Sequence, residues 1–335
     1  MSPRRSSADG PVGMAVVDKE PGMTSHDVVA RCRRIFGERR VGHAGTLDPD
    51  ATGVLLVGVG RFTRVLRFLA ESGKAYVGEV VLGISTTTLD ASGEVTGSWD
   101  MSGVDLLAVA DAARRLTGTI EQVPPMVSAV KVGGRRLHEL ARAGTVVERA
   151  PRPVTVDRFD VTPVPGEPGV LRIDVECSAG TYIRVLADDL GRLLGGGAHL
   201  RRLRRTRVGT FSVGEATTLA ELGPEHLLTP VEAARDLERL DVDAAVASQI
   251  GHGAVLERHT LAVTGPGPYA VVGPSGLLLA VYEERDATRL GPACVLEPQP
   301  GPGRSGGGLV GDGGGLVGGD GGSPLGDGGG PFGAE

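Results

Sequence analysis

Two hydrophobic rhythms run along this chain. From Val170 to Cys177, Leu171, Ile173, Val175 and Cys177 alternate with Arg172, Asp174 and Glu176. A period of two predicts a strand with one buried face, the habit of antiparallel sheets. Between Thr24 and Phe36 the period lengthens. Val28, Val29, Cys32, Ile35 and Phe36 make one apolar stripe, with Arg31, Arg33 and Arg34 outside or flanking it. That spacing predicts an amphipathic helix, and Thr24 with Asp27 fits a capping box at its start. Leu186, Leu190, Leu193 and Leu194 predict another helix, from about Ile183 to the Gly195-Gly196-Gly197 stop. A third is expected from about Val104 to Leu116. Apolar runs at Met14 to Val17, Val54 to Val59 and Ala75 to Gly83 read as strands. Helices and strands mix without regular βαβ alternation, so the fold class expected is α+β.

The pattern changes after residue 213. Residues 214–250 are charged and helix-prone, and are expected to be a helical connector. Residues 251–297 carry short apolar runs (Leu261 to Val263, Tyr269 to Val272, Leu277 to Tyr282) split by Gly-Pro turns, which predicts a small β-rich module. Residues 298–335 are Gly-rich and cannot bury a core; they and residues 1–12 are expected to be disordered. The 335 residues therefore suffice for two domains and a tail.

No apolar run reaches the ~20 residues of a membrane helix, and Met1 to Gly10 carries no apolar signal segment, so a cytoplasmic protein is expected. The three cysteines are far apart; Cys32 and Cys177 fall on apolar stripes and read as buried thiols. No Cys/His cluster has zinc spacing, so no metal site is expected. The net charge of −6 alone disfavours a polyanionic partner, but it hides an asymmetry. Residues 131–207 hold 15 Lys/Arg against 9 Asp/Glu, a net +6, while residues 214–299 hold 5 against 13, a net −8. A locally basic surface can still bind phosphates.

The candidate chemistry centres on residues 42–53, Gly-His-Ala-Gly-Thr-Leu-Asp-Pro-Asp-Ala-Thr-Gly. Asp48 is held between Leu47 and Pro49 and leads into an apolar, β-branched run. Residue types alone leave two readings open: a nucleophile or general base in a constrained loop, or an aspartate chosen because it favours turns.

The wording around Asp48 resembles the catalytic motif of the bacterial tRNA pseudouridine synthases that modify uridine 55 (the TruB family). Other segments extend the resemblance in order over about residues 13–213. They are Asp18-Lys19 with Gly22-Met23-Thr24-Ser25-His26-Asp27, then Lys74-Ala75-Tyr76, then Pro124-Pro125-Met126-Val127-Ser128-Ala129-Val130-Lys131. Cys177-Ser178-Ala179-Gly180-Thr181-Tyr182-Ile183-Arg184 and Gly197-Ala198-His199-Leu200 with Leu203-Arg204-Arg205 complete the set.

The resemblance implies a pseudouridine-synthase-like mixed, largely antiparallel sheet flanked by helices over 13–213. It also implies an RNA-gripping insertion at about 124–152 and a PUA-like domain at 251–297. It implies that uridine 55 in the tRNA T loop is flipped out and isomerised without a cofactor. Asp48 would be the catalytic carboxylate, Arg184 its cationic partner, and Tyr76 the ring that stacks on uracil. His43 would assist the flip, Tyr182 pack beneath the site, and Leu203 form an apolar wall. Lys131, Arg135, Arg136 and Arg142, with Arg201, Arg202, Arg204, Arg205 and Arg207, would meet T-arm phosphates; few acids intervene in the second run. The partner implied is the tRNA T arm; no membrane, no obligate protein partner and a monomer are expected, the sequence itself leaving the oligomeric state open.

Two departures stand out. Asp50 occupies a normally apolar position, and pointing inward it would raise the pKa of Asp48. Glu20 separates Lys19 from Pro21, which alters the local turn. The alternatives are a guide-RNA-dependent synthase, a non-catalytic tRNA-binding or folding module, and an aspartate-dependent hydrolase that the arginine run disfavours.

Overall fold

The computed structural model describes residues 10–126, 131–132, 135–136 and 147–297. Most of residues 1–12, all of 298–335, much of the 124–152 insertion and Arg142 lie outside the described residues.

A ten-stranded sheet organises the molecule. The chain opens with β1 (Gly13–Lys19), helix α1 (Ser25–Phe36), β2 (Val41–Ala44) and β3 (Thr52–Val59). Thr24 caps α1, its side chain accepting from the Asp27 N–H while the Asp27 carboxylate accepts from the Thr24 N–H, as the spacing predicts. A short helix α2 (Leu66–Ala70) leads to β4 (Lys74–Leu82), a small hairpin of β5 (Ile84–Thr86) and β6 (Val95–Ser98), helix α3 (Leu106–Arg115) and β7 (Gly118–Gln122). Within the insertion, β8 (Lys131–Val132) pairs with β9 (Arg135–Arg136). Then come β10 (Arg152–Pro163), β11 (Val170–Cys177), helix α4 (Ile183–Leu193), β12 (Ala198–Val208), β13 (Phe211–Ser212) and β14 (Thr217–Thr218).

The strand order is β14-β1-β3-β12-β4-β11-β10-β7, with β2 beside β3 and β13 beside β12. Only β1–β14 and β3–β12 pair in parallel, so the sheet is mixed and largely antiparallel. Leu171, Ile173, Val175 and Cys177 are all buried, and they pack with residues of α3 and α4 into one core. β3 is buried on both sides. Leu55 and Val57 meet α1, whereas Val54 and Leu56 meet α2 and the C-terminal sheet. Burial on two faces explains why β3 reads as a continuous apolar run rather than an alternation.

The C-terminal module is a five-stranded sheet, ordered β15 (Glu238–Asp241), β17 (Tyr269–Val272), β18 (Leu278–Glu284), β19 (Arg289–Val295) and β16 (Leu256–Glu257). Its Val272, Leu278, Val281 and Leu296 share a core with Leu66 and Leu69 of α2. Arg67 and Glu283 bridge the junction at 3.0 Å, and Arg64 Nη1 donates to the Val295 carbonyl at 3.0 Å.

Two expectations differ from this arrangement. Residues 214–250 are not simply helical. Only α5 (Pro230–Ala233) and α6 (Ala244–Gly251) are α-helical, and the segment gives β14 to one sheet and β15 to the other. Both strands lie at sheet edges with polar faces, so they lack an apolar signature. Leu261 is the end of a 3-10 turn, Arg258–Leu261, not of a strand. It reaches the second core from that turn, which needs no alternating pattern. No described helix is long and apolar enough to cross a membrane.

Candidate active site

The loop between β2 and β3 carries Asp48, and its backbone is held from three directions. Ser25, buried at the start of α1, accepts from the Leu47 N–H at 3.0 Å and donates to the Leu47 carbonyl at 3.1 Å. Lys19, fully buried at the end of β1, donates to the carbonyls of Pro49, Met23 and Glu20 at 2.7, 2.7 and 2.9 Å. Arg205, 1% exposed on β12, donates to the carbonyls of Val54, Gly45 and Thr46 at 2.7, 3.1 and 3.5 Å. Satisfied buried carbonyls make such a loop rigid. Gly53 is obligatory here: its φ is +99°, and a Cβ would lie 2.1 Å from the Arg205 carbonyl oxygen.

The loop delivers Asp48 to the first turn of α4. Arg184 grips it with a two-pronged contact, Nε to Oδ2 at 2.9 Å and Nη2 to Oδ1 at 3.2 Å. Arg184 Nη1 donates to the Thr88 carbonyl at 3.0 Å, and Asp90 Oδ2 lies 3.6 Å from Nε. Gln122 fixes the helix start: its side chain accepts from the Tyr182 N–H at 2.9 Å and donates to the Tyr182 carbonyl at 3.3 Å. A cation in the first turn opposes the helix dipole; Asp48 is what compensates it.

The Asp48 side chain keeps 41% of its surface open towards the cleft, yet protein encloses it on its other sides. That enclosure pushes its pKa up, Arg184 pulls it down, and Asp90 adds a further upward push. The like charge that bears on Asp48 is therefore Asp90, from the turn after β5. Asp50 is exposed, and its charge acts on Lys19 instead. Burial lowers Lys19 to about 8 against the pull of Asp50 and Asp48.

A cleft of about 260 Å³ opens at Asp48, lined by Lys74, Tyr76, Tyr182, Arg184, Leu203 and Arg205 among others. Tyr76 is 7% exposed, and burial raises its pKa although the nearby Arg205 charge pulls it down. His43 is not among the lining residues. It lies on β2 with its ring edge-on to His26, 5.6 Å between centroids. Burial, with His26 and Arg205 nearby, lowers its pKa to about 4, so the ring is neutral at pH 7. Among the described residues, no His/Cys/Asp/Glu cluster could hold a metal ion.

Known proteins share this architecture. Residues 33–183 match the family model "TruB family pseudouridylate synthase (N terminal domain)". Residues 184–242 match "tRNA pseudouridylate synthase B C-terminal domain", and residues 237–297 match "tRNA Pseudouridine synthase II, C terminal". A protein of Rhodococcus jostii named tRNA pseudouridine synthase B is 49% identical over 293 residues, 85% of this chain and 95% of its own length. The chain belongs to the TruB family of pseudouridylate synthases. The Thermobifida fusca protein of the same name is 49% identical, over 82% of this chain and 96% of its own. Among solved structures, a chain of a Cbf5-Nop10-Gar1 complex superposes with a TM-score of 0.68 at 26% identity, covering 85% of each chain.

Within this TruB-family fold, the arginine run of β12 is not the bare basic face its sequence suggests. Arg201 pairs with Glu79 at 2.7 Å and with Glu167, Arg204 with Asp18 at 2.6 Å, and Arg207 with Glu176 at 2.6 Å. The acids come from other parts of the fold, so no local count could reveal them. Arg205 must be corrected outright: buried beneath the loop, it braces carbonyls and cannot reach a phosphate on the outer surface. Arg202, its Nε 3.6 Å from Glu79, remains 75% exposed. Lys131, Arg135 and Arg136 lie on the β8–β9 hairpin.

Sequence reasoning passed over Ser25, Lys74, Asp90 and Gln122 as site residues. Asp90 sits in a Thr-Thr-Thr-Leu-Asp-Ala-Ser-Gly stretch that reads as an ordinary turn. Lys74 lies two residues from Tyr76, a spacing that puts both on one strand face and could have marked it.

Proposed function

We propose that this chain isomerises uridine 55 in the T loop of tRNA to pseudouridine, with the base flipped into the cleft beside Asp48. The observation that carries this reading is the two-pronged Arg184 grip on Asp48 at the cleft floor. A carboxylate acts at neutral pH only if ionised, and the paired guanidinium favours that form against the push of burial. Tyr76 presents a ring in the same cleft, suited to stacking on an extruded pyrimidine. Leu203 and Tyr182 supply apolar walls. The isomerisation breaks the N1–C1′ bond, turns the ring and joins C5 to C1′, and it calls for no external donor.

The tRNA substrate is supported by relatives 46–49% identical that carry the name tRNA pseudouridine synthase B. That level of identity over nearly their whole length favours a stand-alone tRNA enzyme over a guide-RNA-dependent one; a cytoplasmic, monomeric protein is part of the proposal. Residues 13–213 form the catalytic domain in this reading, and residues 251–297 act as a PUA-like RNA-binding module. Arg202, Arg204 and the β8–β9 hairpin bearing Lys131, Arg135 and Arg136 would meet the T arm.

The test is pseudouridine mapping on unmodified tRNA incubated with wild type and with Asp48→Asn. Conversion at position 55 by the wild type alone supports the reading. Binding without conversion by the wild type would leave a tRNA-binding module. Conversion by both proteins would remove Asp48 from the chemistry.

A further inference from the structure

Lys74 is a charged group in the cleft that the reaction as described leaves unused. It is 7% exposed at the start of β4. Its Nζ donates to the carbonyls of Ala70 and Ser72, each at 2.8 Å. An ammonium has three N–H donors, so one remains without a protein acceptor among the described residues. Lys74 and Tyr76 alternate onto the same face of β4, roughly 7 Å apart by strand geometry. Both line the cleft that Asp48 and Arg184 close. Cys177 of β11, Glu71 after α2 and Arg205 of β12 are the other ionisable groups around the amine.

We propose that Lys74 is a catalytic residue whose third N–H donates to a carbonyl oxygen of the uracil stacked on Tyr76. The inference rests on the function proposed above. Its chemical basis is the symmetry of the ring. Turning uracil about its N3–C6 axis exchanges N1 with C5, and C2 with C4. A fixed donor that holds O2 before the turn therefore meets O4 after it. When the N1–C1′ bond breaks with its electron pair on the base, negative charge spreads onto these oxygens. A cation already aimed there stabilises that charge without rearranging. Lys74 forms no covalent bond and keeps its protons; C5–C1′ forms, and the C5 proton is lost as N1 gains one. Burial and Arg205 lower its pKa to about 8, which still leaves it charged at neutral pH. A base oxygen fits better than a phosphate, because the amine is enclosed by the backbone of residues 70–72 inside the cleft.

The test is a double-mutant cycle between protein and substrate atoms. Single-turnover rates are measured for wild type and Lys74→Met on tRNA carrying uridine, 2-thiouridine or 4-thiouridine at position 55. Sulfur accepts hydrogen bonds poorly. The expected result is that at least one thio substitution slows the wild type by about tenfold or more, and costs Lys74→Met nothing further. An equal thio penalty in both proteins would overturn the proposal. So would an unchanged single-turnover rate at saturating tRNA with weaker binding and a shallower salt dependence, which marks a phosphate contact. Lys74→Gln, which keeps neutral N–H donors for Ala70 and Ser72, repeats the cycle if Lys74→Met loses its fold. Failure of the wild type to convert uridine 55 at all would instead refute the underlying function.

Discussion

Asp90 and Asp48 share one guanidinium: Arg184 Nε lies 2.9 Å from Asp48 Oδ2 and 3.6 Å from Asp90 Oδ2. The two carboxylates thus compete for the same charge, and Asp90 disfavours ionisation of Asp48. Burial raises the pKa of Asp48 against the pull of Arg184, and Asp90 adds to the rise. Asp90→Asn removes the like charge while keeping an oxygen for Thr88 and Ser92. The acid limb of kcat/KM should move to lower pH in this variant. A limb that stays in place or moves upward would show that Asp90 does not set the ionisation of Asp48.

The same shift makes the charged Asp48 carboxylate a stability liability. A carboxyl whose folded pKa lies above its unfolded value contributes stability at low pH and loses it as pH rises through the folded pKa. Wild type should therefore lose melting temperature relative to Asp48→Asn as pH rises through the carboxylate range, whatever fixed cost the loss of the Arg184 contact carries. Thermal melts across that range read it directly, and a difference that is flat or runs the other way would contradict the sign.

Lys19→Met removes a donor from three part-buried carbonyls, including that of Pro49 next to Asp48, which keeps only the Gly22 N–H. Each unsatisfied group costs about 1–3 kcal/mol before relaxation. Loosening the loop should lower the single-turnover rate by roughly 100-fold while leaving tRNA affinity nearly intact. Weaker tRNA binding at an unchanged rate would place Lys19 at the RNA surface instead.

Gly53→Ala should be far more damaging than an exposed Gly→Ala substitution. The backbone φ of +99° disfavours any Cβ, and Arg205 would have to retreat with its strand. Since Arg205 also braces Gly45 and Thr46, activity should fall along with stability. An active variant with a wild-type melting temperature would refute the coupling.

Arg202 and Arg205 should separate cleanly in salt titrations. Arg202→Gln should reduce the slope of log affinity against log salt by about 0.7–0.9, one phosphate contact. Arg205→Gln should leave that slope alone and lower the melting temperature. Equal slopes for Arg202→Gln and wild type would remove Arg202 from the RNA surface.

Much of the fold was legible because burial leaves a period. β11 alternates cleanly and spans Val170–Cys177 as expected, and α1 begins at its Thr24 cap. β14 and β15 were not legible, since edge strands with polar faces leave none. At the site, Asp48, Tyr76 and Arg184 stood out only through the wording of their motifs, and the structure brings all three to one cleft. The partners of the arginine run stayed hidden for a different reason. Glu79 faces Arg201 across 122 positions of chain, and Asp18 faces Arg204 across 186. Pairing across a sheet depends on register, which no local window contains.

β12 enters the sheet between β3 and β4, strands made more than a hundred residues before it. On the ribosome, β3 and β4 emerge first, each with an open edge waiting for a strand not yet synthesised. Until Arg205 arrives, the Asp48 loop lacks one of its three braces, and until Arg184 arrives the carboxylate lacks its cation. A nascent chain stalled short of residue 198 would carry two unpaired edges, the template on which strands of other chains assemble. Slow translation through residues 184–208 should thus be a hazard for aggregation, and chaperones that shield strand edges should matter most in that interval.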